Sequence, residues 1–555
     1  MAISRRKFLI SASAGSAVAM VGGAELISAL TSSASAASPA GDVVGKITVG
    51  YQGWFACKGD GAPIDGWWHW SQNMASAPST SNTNIKAWPD MADYTSTYKT
   101  AFSNFNNGQP ATLFSSYDQQ TVNTHFSWMQ QNGCDTAALQ RFNPTGGEGP
   151  TRDAMAAKVR TAAEAYGRKF YIMYDVSGWT TMQADIKADW TNKMSAYTSS
   201  GAYARQNGKP VVCIWGFGFN DSNHAFDAAA CLDVVTWFKN QGCYVIGGVP
   251  THWRTGDSDS RAGFLNVYHA FNMLSPWMVG RIGTAADSDN FYTNVNTPDQ
   301  ADCNANGIDY QPCILPGDLS ARQRAHGDLM WRQFYNMVRL GAQGIYISMF
   351  DEYGEGNQIA KTSATQATVP AGSGLLALDE DGTACSTDYY LRLTNDGGRM
   401  LKGEIALTAT RPTPPVASTT TPSPSPSASA TATATATASA TAGCGVLTAN
   451  QTVAVNQPIV SCDGRFKLVL GGDGNLVLYQ GSTALWSAKT YGKGGTKAYM
   501  QGDGNFVIYT ASGSPVWSTG TAGNSGASLS VQDDGNVVIY SAAGKGLWST
   551  GTAGH

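Results

Sequence analysis

Across residues 41–410, short apolar runs alternate with stretches of helical period. The runs sit at 47–54, 136–142, 169–175, 210–216, 243–249, 268–279, 309–315 and 344–350. Near-continuous apolar runs of this length are what strands buried on both faces require. Between them, Val122, His125, Phe126 and Met129 keep the i, i+3, i+4, i+7 spacing of one helix face, and so do Trp331, Phe334, Tyr335 and Val338. Strands alternating with helices predict an α/β unit with a parallel sheet, and eight strands favour a closed (β/α)8 barrel. A doubly wound open sheet is the alternative. Such a sheet usually carries a Gly-rich phosphate turn after its first strand, and Tyr51-Gln52-Gly53-Trp54 is not one.

The pattern then changes twice. Residues 411–443 open with Arg411-Pro412-Thr413-Pro414-Pro415 and continue as Ser/Thr/Pro/Ala alternation. With nothing apolar to bury, this segment reads as a disordered linker, kept extended by Pro and Thr. From 444 to 555 the chain repeats. Asp473-Gly474-Asn475-Leu476-Val477-Leu478-Tyr479 recurs as Asp503 to Tyr509 and Asp534 to Tyr540; Leu485-Trp486-Ser487 recurs as Val516-Trp517-Ser518 and Leu547-Trp548-Ser549. Each copy holds an Asp-Gly turn, a strand of period two, a Gly/Ser turn and a Trp strand. The prediction is an all-β unit of three sheets in threefold pseudo-symmetry.

Residues 1–36 read as targeting rather than fold. Ser4-Arg5-Arg6-Lys7-Phe8-Leu9 places paired arginines before an apolar stretch, and Ala34-Ser35-Ala36 is a small-residue cleavage site. The stretch is diluted by Ser, Gly and Ala, too weakly apolar for a membrane span. It resembles a twin-arginine signal, with an ordinary secretory signal as the alternative. The protein is therefore expected outside the cell, with no membrane attachment after cleavage. The segment holds three basic residues and Glu25, so its loss moves the net charge from −4 to about −6.

Composition narrows the partners. Charged residues are 14%, against about 25% in an average soluble domain, and no Lys/Arg-rich run of five occurs, so nucleic acid is not expected. Low charge with 16 Trp and 23 Tyr suits neutral, hydroxyl-rich ligands. Of the ten cysteines, eight fall in 57–385 and two (Cys444, Cys462) in the repeat unit. Even counts in an exported chain fit disulfides, with Cys444–Cys462 as the first expected pair and Cys303–Cys313 as the second. Cys213 and Cys243 lie in strand-like runs and equally fit buried thiols.

In a barrel, chemistry gathers where strands end. The ends here carry Tyr51 and Trp54, Arg141, Tyr174 and Asp175, Trp215, His252 and Trp253, Trp277 and, at the eighth, Asp351-Glu352-Tyr353-Gly354-Glu355-Gly356. Aromatics with scattered polar groups suit a sugar cleft, in which indole stacks on the apolar face of a pyranose. Glu352 and Glu355 are the expected catalytic pair, because glycoside hydrolysis needs one protonated and one ionised carboxyl. A solvated acidic loop, or a calcium site with Asp351, is the competing reading. Asp175 is either a sugar ligand or a structural carboxylate at the barrel mouth. His252 reads as a hydrogen-bonding subsite residue. Asp302-Cys303-Asn304-Ala305-Asn306-Gly307 begins like a calcium loop, but its twelfth place is Cys313, so the pattern fails. No metal or cofactor is expected, and no G-x-S-x-G elbow is present.

Two family resemblances follow. Residues 444–555 resemble a bulb-type, mannose-binding lectin domain, a β-prism with the site motif Q-x-D-x-N-x-V-x-Y. Gln501, Asp503, Asn505, Val507 and Tyr509 match it, as do Gln532, Asp534, Asn536, Val538 and Tyr540; the first copy keeps Asp473, Asn475, Val477 and Tyr479 but has Gly471 for Gln. The resemblance implies that these residues bind mannose-type sugars and that Trp486, Trp517 and Trp548 fill the core. Residues 45–405 resemble the glycoside hydrolase 71/99-like barrels, to which some bacterial xylosidase/arabinosidase-type proteins are assigned. The residues carrying it are Tyr51–Trp54, Phe114-Ser115-Ser116-Tyr117-Asp118, Ile172-Met173-Tyr174-Asp175 and Phe350–Gly356. In the family 99 endo-α-mannanases the last segment reads N-E-W-G/H-E-G, and its first Glu deprotonates the sugar's own 2-hydroxyl. The resemblance implies Glu352 as base and Glu355 as general acid, with Tyr353 among the substrate contacts; Asp351 for Asn and Tyr353 for Trp are departures. The expectation is an exported glycoside hydrolase acting on an extracellular polysaccharide, α-mannan in the first instance, and held to it by a lectin domain. A non-catalytic carbohydrate-binding protein, or an antibacterial lectin with an inert partner, are the alternatives.

Overall fold

The computed structural model describes residues 38–105, 108–416 and 445–554, the last apart from positions 450, 456, 457, 462, 463, 482, 511, 512, 543 and 544. The chain divides into two compact units, Met1–Pro422 and Ser423–His555. Residues 1–36, expected to be an export signal, and residues 417–444 lie outside the described residues.

Eight parallel strands build the sheet of the first unit. They are β1 Ile47–Tyr51, β2 Thr136–Arg141, β3 Lys169–Asp175, β4 Lys209–Trp215, β5 Tyr244–Val249, β6 Met273–Pro276, β7 in two pieces (Asp309–Tyr310 and Cys313–Ile314) and β8 Ile345–Ile347. Neighbours pair in the order β7–β6–β5–β4–β3–β2–β1–β8–β7: the first piece of β7 lies on β6 and the second on β8. The two ends of the sheet are thus one stretch of chain, as a (β/α)8-type barrel requires and an open doubly wound sheet does not. Pro312 stands where β7 changes partner; lacking an N–H, it still accepts from Tyr346 through its carbonyl at 3.1 Å.

Every connection carries a helix: α1 Gln119–Gln131, α2 Gly149–Ala165, α3 Met182–Asn192, α4 Ala228–Asn240, α5 Leu265–Tyr268, α6 Ala285–Phe291, α7 Thr297–Asn306, α8 Asp328–Leu340, then α9 Tyr389–Leu401 after β8. Val122, His125, Phe126 and Met129 are the buried face of α1, as their spacing predicts. The sixth run is far shorter as a strand than 268–279, because its start closes α5 and its end leaves the sheet after Pro276.

Strand alternation sets what faces the barrel axis. Across the barrel, Tyr346 Oη reaches Met173 Sδ at 3.6 Å. Gly50 leaves room for Tyr346 and Met349, and Gly248 for the Trp215 ring; a Cβ at either would collide. Residues one step along each strand point outward to the helices.

The described cysteines correct one expectation. Cys57, Cys134, Cys213, Cys231, Cys243, Cys303, Cys313 and Cys385 are free and buried, so no Cys303–Cys313 bond forms. Cys313 registers with Tyr346 on the axial face of the sheet, whereas Cys303 sits on α7 outside it. Burial pushes these thiols above their usual range, Cys313 and Cys243 to about 12, which leaves them protonated and inert. Cys213 and Cys243 are the buried thiols of the alternative reading. Cys444 and Cys462 lie outside the described residues.

The first residues of the Pro-rich segment are held. Arg411 Nε donates to Asp328 at 2.9 Å, Thr413 Oγ1 to Asp396 at 2.7 Å, and Arg392 to the Pro415 carbonyl at 3.1 Å. Composition does not reveal this, because the contacts are polar and come from α8 and α9.

The second unit has three four-stranded antiparallel sheets. Phe466–Leu470, Leu476–Gln480 and Thr483–Ser487 form one; Gly495–Met500, Phe506–Thr510 and Pro515–Ser518 the next; Ser528–Val531, Val537–Tyr540 and Gly546–Ser549 the third. Each repeat thus supplies three strands. The fourth strand of every sheet comes from the segment preceding the repeats: Ile459–Val460, Thr452–Ala454 and Val446–Leu447 respectively. Leu478, Ile508 and Ile539 fill one core. Trp486, Trp517 and Trp548 meet edge to face with centroids 5.6–5.8 Å apart, each touching both others.

Candidate functional site

The loop leaving β8 is fixed from below. Asp351 is buried and accepts the Gln52 N–H at 2.8 Å on one oxygen and the Gly53 N–H at 2.9 Å on the other. Burial pushes its carboxyl up to about 6 against the pull of those two N–H groups. Each oxygen of Asp351 thus holds one backbone N–H at the end of β1. From above, the Arg324 guanidinium donates to the carbonyls of Gly317, Gly356 and Gln358 at 3.0, 2.8 and 2.8 Å.

Between these anchors stand the two glutamates. Glu352 Oε2 accepts from Gln52 Nε2 at 3.0 Å and Oε1 from the Gly354 N–H at 3.1 Å. Both oxygens of Glu352 are thereby engaged by donors. Glu355 is half-buried and makes no hydrogen bond or ion pair among the described residues. The loop therefore offers one committed carboxylate and one uncommitted carboxyl, three residues apart, at the strand ends where barrel chemistry gathers.

The structure divides the other expected contacts by strand alternation. Tyr51, Arg141 and Tyr174 point outward. Tyr51 Oη meets His125 of α1 at 3.0 Å; Arg141 grips Asp189 of α3 through Nε at 2.7 Å and Nη2 at 2.5 Å; Tyr174 Oη donates to the same Asp189 at 2.9 Å. Trp253 Nε1 donates to buried Asp299 at 2.9 Å, and Tyr353 Oη to the Lys361 carbonyl at 2.9 Å. All five make contacts that hold the fold, and Arg141 keeps its Nη1 without a partner among the described residues. The Trp54 ring is stacked on by the His69 imidazole at 3.7 Å and 13°, with Phe142 5.8 Å away, and its buried Nε1 has no partner among the described residues. Burial first, and then the Arg152 charge, keep that imidazole neutral.

The inner face carries the neighbours of those residues. Tyr51 registers with Leu139, so Gln52 and Gln140 follow side by side. Each has a buried carbonyl oxygen without a partner among the described residues. For Gln52 the amide cannot be flipped, because its NH2 must face Glu352. Asp175 and Trp215 register together. Asp175 Oδ1 accepts from Ser177 N and Oγ at 3.0 and 2.6 Å; Ser177 Oγ meets His224 Nε2 at 2.9 Å, and His224 Nδ1 meets Asp221 at 2.8 Å. Trp215 packs edge-on to Trp277 at 5.3 Å. His252 is partly exposed and is held through Nδ1 by Asp259 at 3.0 Å. That bond raises the imidazole above its ordinary pKa, against burial. Gln52, Gln140 and Ser177 were not among the residues expected from sequence. The signal was there: of each adjacent pair Tyr51/Gln52, Gln140/Arg141 and Tyr174/Asp175, only one can face the axis.

In the second unit, each repeat places its motif on one turn and the strand after it. Val477, Val507 and Val538 lie on the strand face opposite core residues Leu478, Ile508 and Ile539, beside Tyr479, Tyr509 and Tyr540. Gln501 donates to Tyr509 Oη at 2.8 Å and Gln532 to Tyr540 Oη at 3.1 Å. Asp503 and Asp534 are exposed and accept the N–H of Asn505 and Asn536, both at 2.9 Å. The asparagine carbonyl faces inward: Asn505 Oδ1 accepts from Thr521 N at 3.1 Å and Asn536 Oδ1 from Thr552 N at 3.2 Å. Asn475 binds Thr490 N likewise at 2.9 Å. What remains outward is a fork of amide, carboxylate and phenol, suited to adjacent hydroxyls.

No family model matches the chain. The B-type lectin plumieribetin of Scorpaena plumieri is 39% identical over 67 residues, which are 12% of this chain. The chain spans 58% of the length of that curated relative. Among solved structures, the GH99 endo-alpha-mannosidase from Bacteroides thetaiotaomicron aligns with 65% of this chain and 98% of its own, at 13% identity and a TM-score of 0.47. The mannose-specific agglutinin of snowdrop (Galanthus nivalis) bulbs is 34% identical, with 20% of this chain and 96% of its own covered and a TM-score of 0.17. The C-terminal region of this chain is similar in sequence to that lectin over nearly the lectin's whole length.

Proposed function

We propose that the protein is a glycoside hydrolase carrying a mannose-binding lectin unit, exported to act on an extracellular polysaccharide. One observation carries the enzymatic part: the loop after β8 holds Glu352 in two hydrogen bonds and leaves Glu355 without a partner among the described residues. Glu352, ionised, serves as base. Glu355 donates its proton to the leaving glycosidic oxygen. In the route that the Asp351–Gly356 segment suggests by its likeness to the endo-α-mannanases, Glu352 takes the proton of the sugar's 2-hydroxyl. That oxygen attacks the anomeric carbon as the glycosidic bond breaks, giving a 1,2-anhydro sugar. Water, deprotonated by Glu355, then opens it with net retention, and Glu352 returns the proton to O2. α-Mannan is the substrate this likeness favours.

The test is release of reducing ends from α-mannan, xylan and α-glucan by the intact protein and by its Glu355→Gln variant. A general acid contributes on the order of 10²–10⁴-fold, and a loss of that size is expected. Equal release by both proteins leaves a carbohydrate-binding protein as the function. For the second unit, Gln501→Ala with Gln532→Ala should end retention on a mannan column while hydrolysis of a small soluble substrate stays unchanged. Export is tested by Arg5→Lys with Arg6→Lys, which should keep the protein inside the cell if the signal is of the twin-arginine type.

A further inference from the structure

The three repeats share a frame but are furnished differently. Where the second and third copies have Gln501 and Gln532, the first has Gly471, and Asp473 Oδ1 lies only 2.5 Å from where a Cβ would be. The carboxylate fills the space the glutamine would enter. Tyr479 consequently has no side-chain donor and makes no hydrogen bond through its hydroxyl among the described residues.

The first copy has gained groups on the other side of the same turn. The loop after each Trp strand is tied back to the Asp-Gly turn. In the first copy, Thr490 N donates to Asn475 Oδ1 at 2.9 Å, Thr490 Oγ1 to the Gly474 carbonyl at 2.7 Å, and Gly492 N to the Asp473 carbonyl at 3.0 Å. Lys489, Tyr491 and Lys493 each adjoin one of these bonded residues. At a spacing of 31 the second copy has Gly520, Ala522 and Asn524 instead, and the third has Gly551, Ala553 and His555.

The first of those positions is informative. Lys489, Gly520 and Gly551 all adopt left-handed backbone, with φ of 54, 68 and 69°. Glycine enters that region freely, and lysine does so against steric resistance. The first copy thus keeps a cationic side chain where its backbone would favour none. Tyr491 is 75% exposed. Lys489 and Lys493 form no ion pair among the described residues. A lysine held in left-handed backbone beside an exposed ring and a second lysine is a candidate binding surface.

We infer that the first repeat is a site for an anionic saccharide, a sugar bearing phosphate or carboxylate, distinct from the neutral-sugar sites of the other two repeats. The Tyr491 ring supplies a stacking face, and the Lys489 and Lys493 ammonium groups take the anion. Lys467 is not part of the distinction, since it registers with Tyr479 as Lys497 does with Tyr509 in the second copy. The inference rests on the reading of the second unit as a sugar binder.

The experiment titrates the intact protein with mannose 6-phosphate, methyl α-mannoside and inorganic phosphate at low ionic strength. Two variants are compared, Lys489→Gly with Lys493→Asn, and Gln501→Ala with Gln532→Ala. The first pair installs the residues of the second copy and relieves the left-handed lysine, so its fold is safe. The expected result is that it weakens mannose 6-phosphate about tenfold, as loss of charge-assisted hydrogen bonds would, and leaves methyl α-mannoside unchanged. The glutamine pair should do the reverse. Mannose 6-phosphate binding that survives the lysine variant, or vanishes with the glutamine variant, overturns the inference. So does inorganic phosphate, or a phosphatidylglycerol vesicle, that competes as well as the sugar phosphate. A protein that binds methyl α-mannoside but not mannose 6-phosphate overturns the inference alone; one that binds neither overturns the lectin reading with it.

Discussion

The mouth of the barrel and the turns of the repeats solve one problem differently. In the barrel, neighbours in sequence divide what they face: Gln140 faces the axis with a carbonyl unpartnered among the described residues, while Arg141 faces the helices and clamps Asp189. In the repeats one residue faces both ways, since Asn505 turns its carbonyl inward to Thr521 and leaves its amide on the other side. A strand has two faces and can divide duties at every step. A tight turn has one face and cannot. Function and stability should therefore separate by mutation in the first unit and fall together in the second.

Arg141→Ala gives the largest effect. Removing one partner of a buried ion pair costs about 3–5 kcal/mol, so the first unit should melt markedly earlier, by calorimetry, while the chemistry of the remaining folded protein is little changed. A smaller effect comes from Asp351. Its carboxyl is raised to about 6 in the fold, while the unfolded chain titrates near the ordinary value. From about pH 4 to pH 6 the unfolded state loses its proton first, so stability falls as pH rises through that window, by roughly 2–3 kcal/mol for a shift of two units. Denaturation followed across that range in parallel with Asp351→Asn should show the slope in the parent only. Next, Asn505→Ala should cost about 1–2 kcal/mol, because the buried Thr521 and the half-buried Thr519 lose their acceptor, and should weaken mannoside binding in the same protein. Smallest is Gln140→Ala, expected to lower kcat/KM roughly five- to tenfold, the worth of one hydrogen bond, with an unchanged melting temperature. A Gln140→Ala that unfolds like Arg141→Ala would end the proposed division of labour.

Much of the fold was legible because its strands are buried on both faces and read as unbroken apolar runs. All eight lie where those runs stand, and α1 and α8 where the helical spacing puts them. The same property hid the site. An unbroken apolar strand does not say which face is axial, so Tyr51, Arg141 and Tyr174 were as eligible as Gln52, Gln140 and Asp175. In the repeats, period-two alternation and threefold recurrence declare both core and motif, and only the inward carbonyl of the asparagines needed coordinates. The glutamates were legible for a different reason: two carboxyls in a Gly-containing loop just past an apolar run are chemically conspicuous. The Cys303–Cys313 pairing failed because closeness in sequence ignores facing: Cys313 sits on the axial face of the sheet, and Cys303 on α7 outside it.

The short strands Val446–Leu447, Thr452–Ala454 and Ile459–Val460 have a mechanical meaning. They are the entry to the second unit, and each completes a different sheet. Tension arriving from upstream meets a hem stitched successively through all three walls. To fray the unit it must unpick the third sheet, then the second, then the first, so no one repeat can be torn away while its companions stay anchored.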